Sequence, residues 1–179
     1  MKAYKQGQNY KLPAQIVAEP YHPKFVQPKL TQNGTLGGDT FACSGTNIDN
    51  LQAWILFDGD KTMSHYVRSQ QASGDIIFYD PTGLNITNLN IMGYTADSNW
   101  WVQDCTLYGS NDGSTWTSLS TYSPAFQSVS WNISHNGYYK YFKIHWNRNK
   151  TGLLWIEIDI TATLVTTASK NRVKYYAIK

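Results

Sequence analysis

Between about residues 39 and 165, apolar and polar positions alternate along the chain. Phe142, Ile144 and Trp146 fall on one side of an extended segment, and Tyr141, Lys143 and His145 on the other. Val129, Trp131 and Ile133 alternate with Ser128, Ser130 and Asn132, and Cys105 and Leu107 with Thr106 and Tyr108. Leu154, Ile156, Ile158 and Ile160 alternate with Trp155, Glu157, Asp159 and Thr161. A period of two places alternate side chains on one face of a strand. Ile76-Ile77-Phe78-Tyr79 reads as a short strand closed by the turn signal Asp80-Pro81-Thr82-Gly83. Ile86, Leu89 and Ile91 predict two short extended pieces meeting at Thr87-Asn88, and Ser110-Asn111-Asp112-Gly113 a tight turn. No stretch shows a helical period of 3.6. Several short strands separated by turns predict an all-β antiparallel sandwich.

The two ends differ from this middle. Residues 1–38 carry Pro13, Pro20, Pro23 and Pro28, which forbid a regular helix. They predict an extended arm that crosses a surface or docks on a partner. Residues 166–179 are a basic tail in which Val173, Tyr175, Tyr176 and Ile178 could add one more strand.

Composition narrows the function classes. The 179 residues are 41% hydrophobic and only 15% charged, so polarity comes from Ser, Thr, Asn and Gly rather than from charge. That excludes a coiled coil and a wholly disordered chain. No run of 18 apolar residues could span a membrane. The net charge of +3 is too mild to argue for nucleic acid, and many of the lysines sit in the two ends. Cys43 and Cys105 lie in no CxxC. A disulfide between them stays open, but the habit of Cys to be buried as a small hydrophobe favours two separate thiols. The first twenty residues hold no apolar stretch of secretory-signal length. There is no GxSxG, HExxH or phosphate loop, and Asp97 and Asp104 make a poor carboxylate pair for sugar hydrolysis. A non-catalytic protein is expected.

Three stretches, in this order, carry a resemblance. They are Ala53-Trp54-Ile55-Leu56-Phe57-Asp58-Gly59-Asp60-Lys61-Thr62, then Cys105-Thr106-Leu107-Tyr108-Gly109-Ser110-Asn111-Asp112-Gly113-Ser114-Thr115-Trp116-Thr117, then Tyr139-Lys140-Tyr141-Phe142-Lys143-Ile144 followed by Ile156-Glu157-Ile158. Together they resemble the discoidin domain, or coagulation factor V/VIII type C domain, whose superfamily includes family 32 carbohydrate-binding modules. The resemblance covers residues 39–165 and implies a jelly-roll β-sandwich.

Asp58-Gly59-Asp60 is the cation candidate from the residues themselves, since a tight turn can aim carboxylates and carbonyls at one point. The resemblance implies a structural calcium held by the Ile55 carbonyl, Asp58, Asp60, Thr62, the Ile156 carbonyl and Glu157. The family usually places its Thr where this chain has Met63, and Thr62 lies one residue earlier. Glu157, set between two isoleucines, needs a partner in any case.

Sugar binding needs an aromatic ring to stack on and a few polar groups. Three loops hold these ingredients: residues 64–71, 94–101 and 147–151. The candidates are His65, Arg68, Tyr94, Trp100, Arg148 and Asn149, with Trp100 outward and Trp101 buried. Leu153-Leu154-Trp155 fits a strand start better than a lipid-binding spike. The expected function is a lectin-like module for cell-surface or polysaccharide glycans. Lacking a signal, it would be displayed on a phage or virus particle as a receptor-binding or decoration protein, attached to other assembly proteins through residues 1–38. The rival is a structural adaptor whose loops contact protein.

Overall fold

Among the described residues the alternating segments fold as eight strands: β1 (Ala42–Thr46), β2 (Val67–Ser69), β3 (Ser73–Gly93), β4 (Asp104–Ser110), β5 (Thr117–Tyr122), β6 (Val129–Asn132), β7 (Tyr139–Asn147) and β8 (Leu153–Leu164). Two short 3-10 turns, Asp49–Leu51 and Ala53–Phe57, separate β1 from β2. This computed structural model describes residues 21–93, 102–123, 128–148 and 152–165. The proposed extra strand in the C-terminal tail lies outside them. Among the described residues no helix is long and apolar enough to cross a membrane.

Every strand pair is antiparallel, and β3 belongs to both layers of the sandwich. Its first half lies between β1 and β7, and β7 continues to β4 and β5. Its second half lies between β6 and β8, and β8 continues to β2. Asp80-Pro81-Thr82-Gly83 does not end a strand, as its composition suggested, but sits within this 21-residue one. The pairing with β7 shifts register between Tyr79 and Leu84. Thr82 N donates to Asp80 Oδ1 at 2.9 Å and Gly83 has φ +81°. The residue types that make a turn also make an irregularity that redirects a strand, and Pro81 falls where the ladder is already broken. Likewise Thr87 marks a register shift against β8, not a break between two strands.

The core is shared by both layers. Phe41, Phe57, Phe78 and Phe142 interlock, with Phe78 and Phe142 stacked at a centroid distance of 5.3 Å. Leu89, Ile91, Trp131, Ile158 and Ile160 complete it from the second layer. Strict alternation along β8 would turn Trp155 away from the face of Ile158 and Ile160, yet it is fully buried in the same core. Gly93 pairs with Trp155 and Met92 with Glu157, so Ile156 is an extra residue. That single insertion reverses the inward and outward parity of the strand. Leu153, Leu154 and Trp155 are all buried and present no spike. Cys43 and Cys105 are separate, free and buried. Burial pushes the Cys43 thiol up to about 12 and raises Cys105 as well.

The described part of the N-terminal arm packs on the sandwich itself. The compact unit runs from His22 to Val165. Phe25 N donates to Ala162 O at 2.9 Å, and Leu164 N to Pro23 O at 2.8 Å. The Gln27 amide reaches β8 twice, giving Nε2–H to Ile158 O at 2.8 Å and accepting Ile160 N–H at 2.7 Å. One side chain thus takes the place of a paired strand residue. Further along, Leu30 N donates to Phe57 O and Cys43 N to Asn33 O. Among the described residues this arm covers the β8 edge from Ile158 to Leu164.

Phe78→Ala removes the ring at the centre of the aromatic cluster. It should cost about 3–5 kcal/mol of unfolding free energy, measured by denaturant titration with an unchanged m-value.

Candidate functional site

Two places bring sequence-selected residues together. The first is the turn after Ala53–Phe57. Asp58 Oδ1 accepts Asp60 N–H at 2.7 Å, and Asp60 Oδ1 accepts Thr62 N–H at 2.9 Å. These side chains brace the turn, and Gly59 has φ +74°, a conformation glycine adopts without strain. His65 belongs to the same turn: its Nδ1 lies 3.1 Å from Asp58 Oδ2 and 3.5 Å from Asp60 Oδ2. Thr62 Oγ1 meets Ser64 Oγ at 2.7 Å.

Glu157 faces this turn from β8. It is 1% exposed, and its carboxylate receives one hydrogen bond among the described residues, from Gly59 N at 3.3 Å. Burial, then the charges of Asp58 and Asp159, push its pKa up to about 8. Lys61 opposes this weakly, since its ammonium is engaged with Asp159 at 2.7 Å near the surface. Ile156 is buried beside Glu157, and Ile55 is half-buried in the 3-10 turn before Asp58.

Among the described residues no three His, Cys, Asp or Glu side chains converge to hold a metal by themselves. A hard cation takes backbone carbonyls as readily as carboxylates. The donor chemistry here is of that kind: a buried carboxylate short of partners, acidic neighbours and a carbonyl-rich turn. Of the residues named for calcium, Asp58, Asp60 and Thr62 spend side-chain oxygens on bonds within the turn, to Asp60 N, Thr62 N, Ser64 Oγ and His65 Nδ1.

The second place is one end of the sandwich, where three connections are stitched together. Asn47 Nδ2 donates to Ser73 O, and Ser69 Oγ to Asn47 O. Arg148 N donates to Ala72 O at 2.8 Å, and its Nη1 to Gln70 O at 2.5 Å. Arg68 Nε donates to Asp49 Oδ2 at 2.7 Å, which holds its pKa above the usual guanidinium value. Residues 47–51, 66–71 and 147–148 therefore share one rim. Gly93 and Gln103 are anchored at the start of β8: Gly93 pairs with Trp155, and Gln103 Nε2 donates to Gly152 O.

Of the sugar-binding candidates, Arg68 and Arg148 stand on this rim and His65 in the acidic turn. Tyr94, Trp100 and Asn149 lie outside the described residues. Arg68 is neutralised by Asp49, whereas Arg148 meets no carboxylate among the described residues. Sequence reasoning passed over Tyr66 and Leu51, which are 40% and 57% exposed. Leu51 also holds φ +52°, uncommon for a branched side chain, with its carbonyl fixed by Asn33 Nδ2 at 2.7 Å. Tyr66 sat in a loop already marked for its polar residues. Leu51 gave no signal, because its exposure depends on that backbone conformation.

No protein-family model matches the sequence, and no curated protein matches it significantly. Solved structures do. An F5/8 type C domain from Bacteroides fragilis superposes with a TM-score of 0.59 at 10% identity, covering 70% of this chain and 93% of that one. The family 32 module of Clostridium perfringens NanJ, in complex with galactose, gives 0.56 at 12% identity, over 68% and 93%. The family 32 module of AlyQ, in complex with 4,5-unsaturated mannuronic acid, gives 0.55 at 14%, over 66% and 92%. The fold is that of discoidin domains and family 32 carbohydrate-binding modules.

Glu157 is an acid whose pKa is raised in the fold, so folding takes up a proton between the ordinary value of 4.5 and about 8. Its contribution to stability is greatest at low pH and declines as pH rises through that window. In chelator, Glu157→Gln should therefore stabilise the protein more at pH 8 than at pH 5, measured as the difference in thermal midpoint from wild type.

Proposed function

We propose that this protein is a non-catalytic carbohydrate-binding module whose ligand docks on the rim formed by residues 47–51, 66–71 and 147–148. The observation that carries this reading is the stitched rim itself, in a fold whose solved examples include modules in complex with galactose and with a mannuronic acid. Arg148 is held at both its backbone and its guanidinium, so its remaining N–H groups are pre-oriented for oxygens of a saccharide. Tyr66 offers an exposed ring beside Arg68. Trp100, and with it Tyr94 and Asn149, would add stacking and hydrogen bonds from the neighbouring loops.

A structural calcium belongs to the same reading. Glu157, Asp58, Asp60 and Thr62, with the carbonyls of Ile55 and Ile156, would hold it. When bound it supplies positive charge to a buried carboxylate that otherwise faces acidic neighbours. It takes no part in ligand chemistry.

Single sites of this kind bind weakly, and useful affinity comes from many copies. Display on an extracellular surface, such as a virus or phage particle, would provide them. On that view the protein is a receptor-binding or decoration component.

Arg148→Ala should lower binding to glycans on an array about tenfold in apparent affinity, beyond any loss of thermal midpoint from the missing bond to Gln70. A blank array with multimerised wild-type protein would overturn the saccharide reading. Calcium at a hundred times its dissociation constant should add about 2.7 kcal/mol to stability. A calorimetric scan with and without chelator measures this, and Glu157→Gln should abolish the difference.

A further inference from the structure

The outer face of the first layer carries a cluster that neither the rim nor the acidic turn uses. Strand pairing sets Ile77, Lys143, Tyr108 and Ser118 side by side across β3, β7, β4 and β5. The next row holds Asp75, His145, Thr106 and Thr121. On β4 and β7 these side chains face outward, because Cys105, Leu107, Phe142 and Ile144 between them face the core. Trp116, one residue before β5, reaches the same face. The Lys143 ammonium lies 4.6 Å from the centre of its ring and 5.1 Å from that of Tyr108.

Among the described residues Lys143 meets no carboxylate, and its ammonium donates no hydrogen bond to protein. Two rings attract the charge without cancelling it. They also hold a long side chain in place, so its three N–H donors are positioned before a ligand arrives. Trp116 Nε1 and Tyr108 Oη likewise have no hydrogen-bond partner among the described residues. The nearby acids are engaged. Asp75 Oδ1 lies 2.7 Å from His145 Nδ1. Asp112, in the adjoining hairpin, accepts from Ser110 Oγ, Ser114 N and Thr115 N through Oδ1. Asp104, two rows along β4, has a partner as well.

We propose that Lys143, Tyr108 and Trp116 form a second saccharide site, separate from the rim, that takes an anionic sugar. The ammonium holds a uronate carboxylate or a sulfate ester. Both rings are half-buried, and the sugar lies on the aromatic surface that the lysine leaves open. That surface favours a sugar over an acidic peptide, because a pyranose has a flat C–H face to lay on a ring and an Asp or Glu side chain has none. Thr106, Ser118 and Thr121 offer hydroxyls to its neighbouring units. This goes beyond the rim reading and does not depend on it.

The test is titration calorimetry of the full chain with three oligosaccharides of equal length: a polyuronate, a heparin fragment and a neutral galactan. The first two separate carboxylate from sulfate. It is run in the Arg148→Ala background, which weakens the rim. An acidic oligomer should still bind there, about tenfold tighter than the galactan. Adding Lys143→Met or Trp116→Ala should weaken it about tenfold, with thermal midpoints recorded to exclude misfolding. Adding Lys143→Arg, which keeps the charge and stacks on rings, should preserve it. Acidic binding that Lys143→Met and Trp116→Ala leave intact overturns the proposal. Acidic binding that Arg148→Ala abolishes assigns the anion to the rim and overturns this site alone. Wild type that binds none of the three at millimolar concentration overturns both sites. Polyglutamate bound as tightly as polyuronate overturns the sugar assignment, since the face then reads charge alone.

Discussion

One strand belongs to both layers, and the rest of the sandwich follows from that. β3 spends its first half between β1 and β7 and its second between β8 and β6. The irregularity at residues 80–83 is what allows the change of layer. Phe78, before it, and Leu89 and Ile91, beyond it, reach the same core from opposite layers. A strand that simply ended at Tyr79 would need a separate connection to start the second layer. Continuous pairing also fixes the register of both layers against each other, so the loops at the rim inherit their positions from β3.

The second organising feature is the cover on β8. β2 pairs with its first residues, Gln27 bonds to its middle, and residues 23–25 pair with its end. Edge protection and the burial of Glu157 share one cause, because the segment that satisfies β8 backbone groups also walls the carboxylate. The burial that raises the pKa of Glu157 thus takes place in a cavity that this segment also lines.

The strands were legible because burying one face of a sheet enforces a period of two. The core positions of β4, β6 and β7 were read correctly for that reason. Alternation alone does not place Trp155, because one inserted residue, Ile156, reverses parity, and an insertion is visible only against the partner strand. The Asp-Pro-Thr-Gly segment was read as a turn because turns and strand irregularities draw on the same residues. The prolines marked an extended arm crossing a surface, but not its anchors: Gln27 and Asn33 act through side-chain amides on backbone groups more than a hundred residues and eighteen residues away, respectively. The acidic turn was legible from Asp58-Gly59-Asp60, but the attachment of His65 to it, and of Arg68 to Asp49, depends on distances that spacing does not encode.

His22 and Val165, the limits of the compact unit, stand close together, since Pro23 and Leu164 are hydrogen-bonded neighbours. The arm and β8 run antiparallel there, as the Lys24–Thr163 bridge shows. Tension applied between these two points would load the pairs one after another, from the open end inward, rather than all at once. Mechanically this is a zipper, not a shear joint. The arm would peel first and at low force, while the interlocked aromatic core behind it stayed intact.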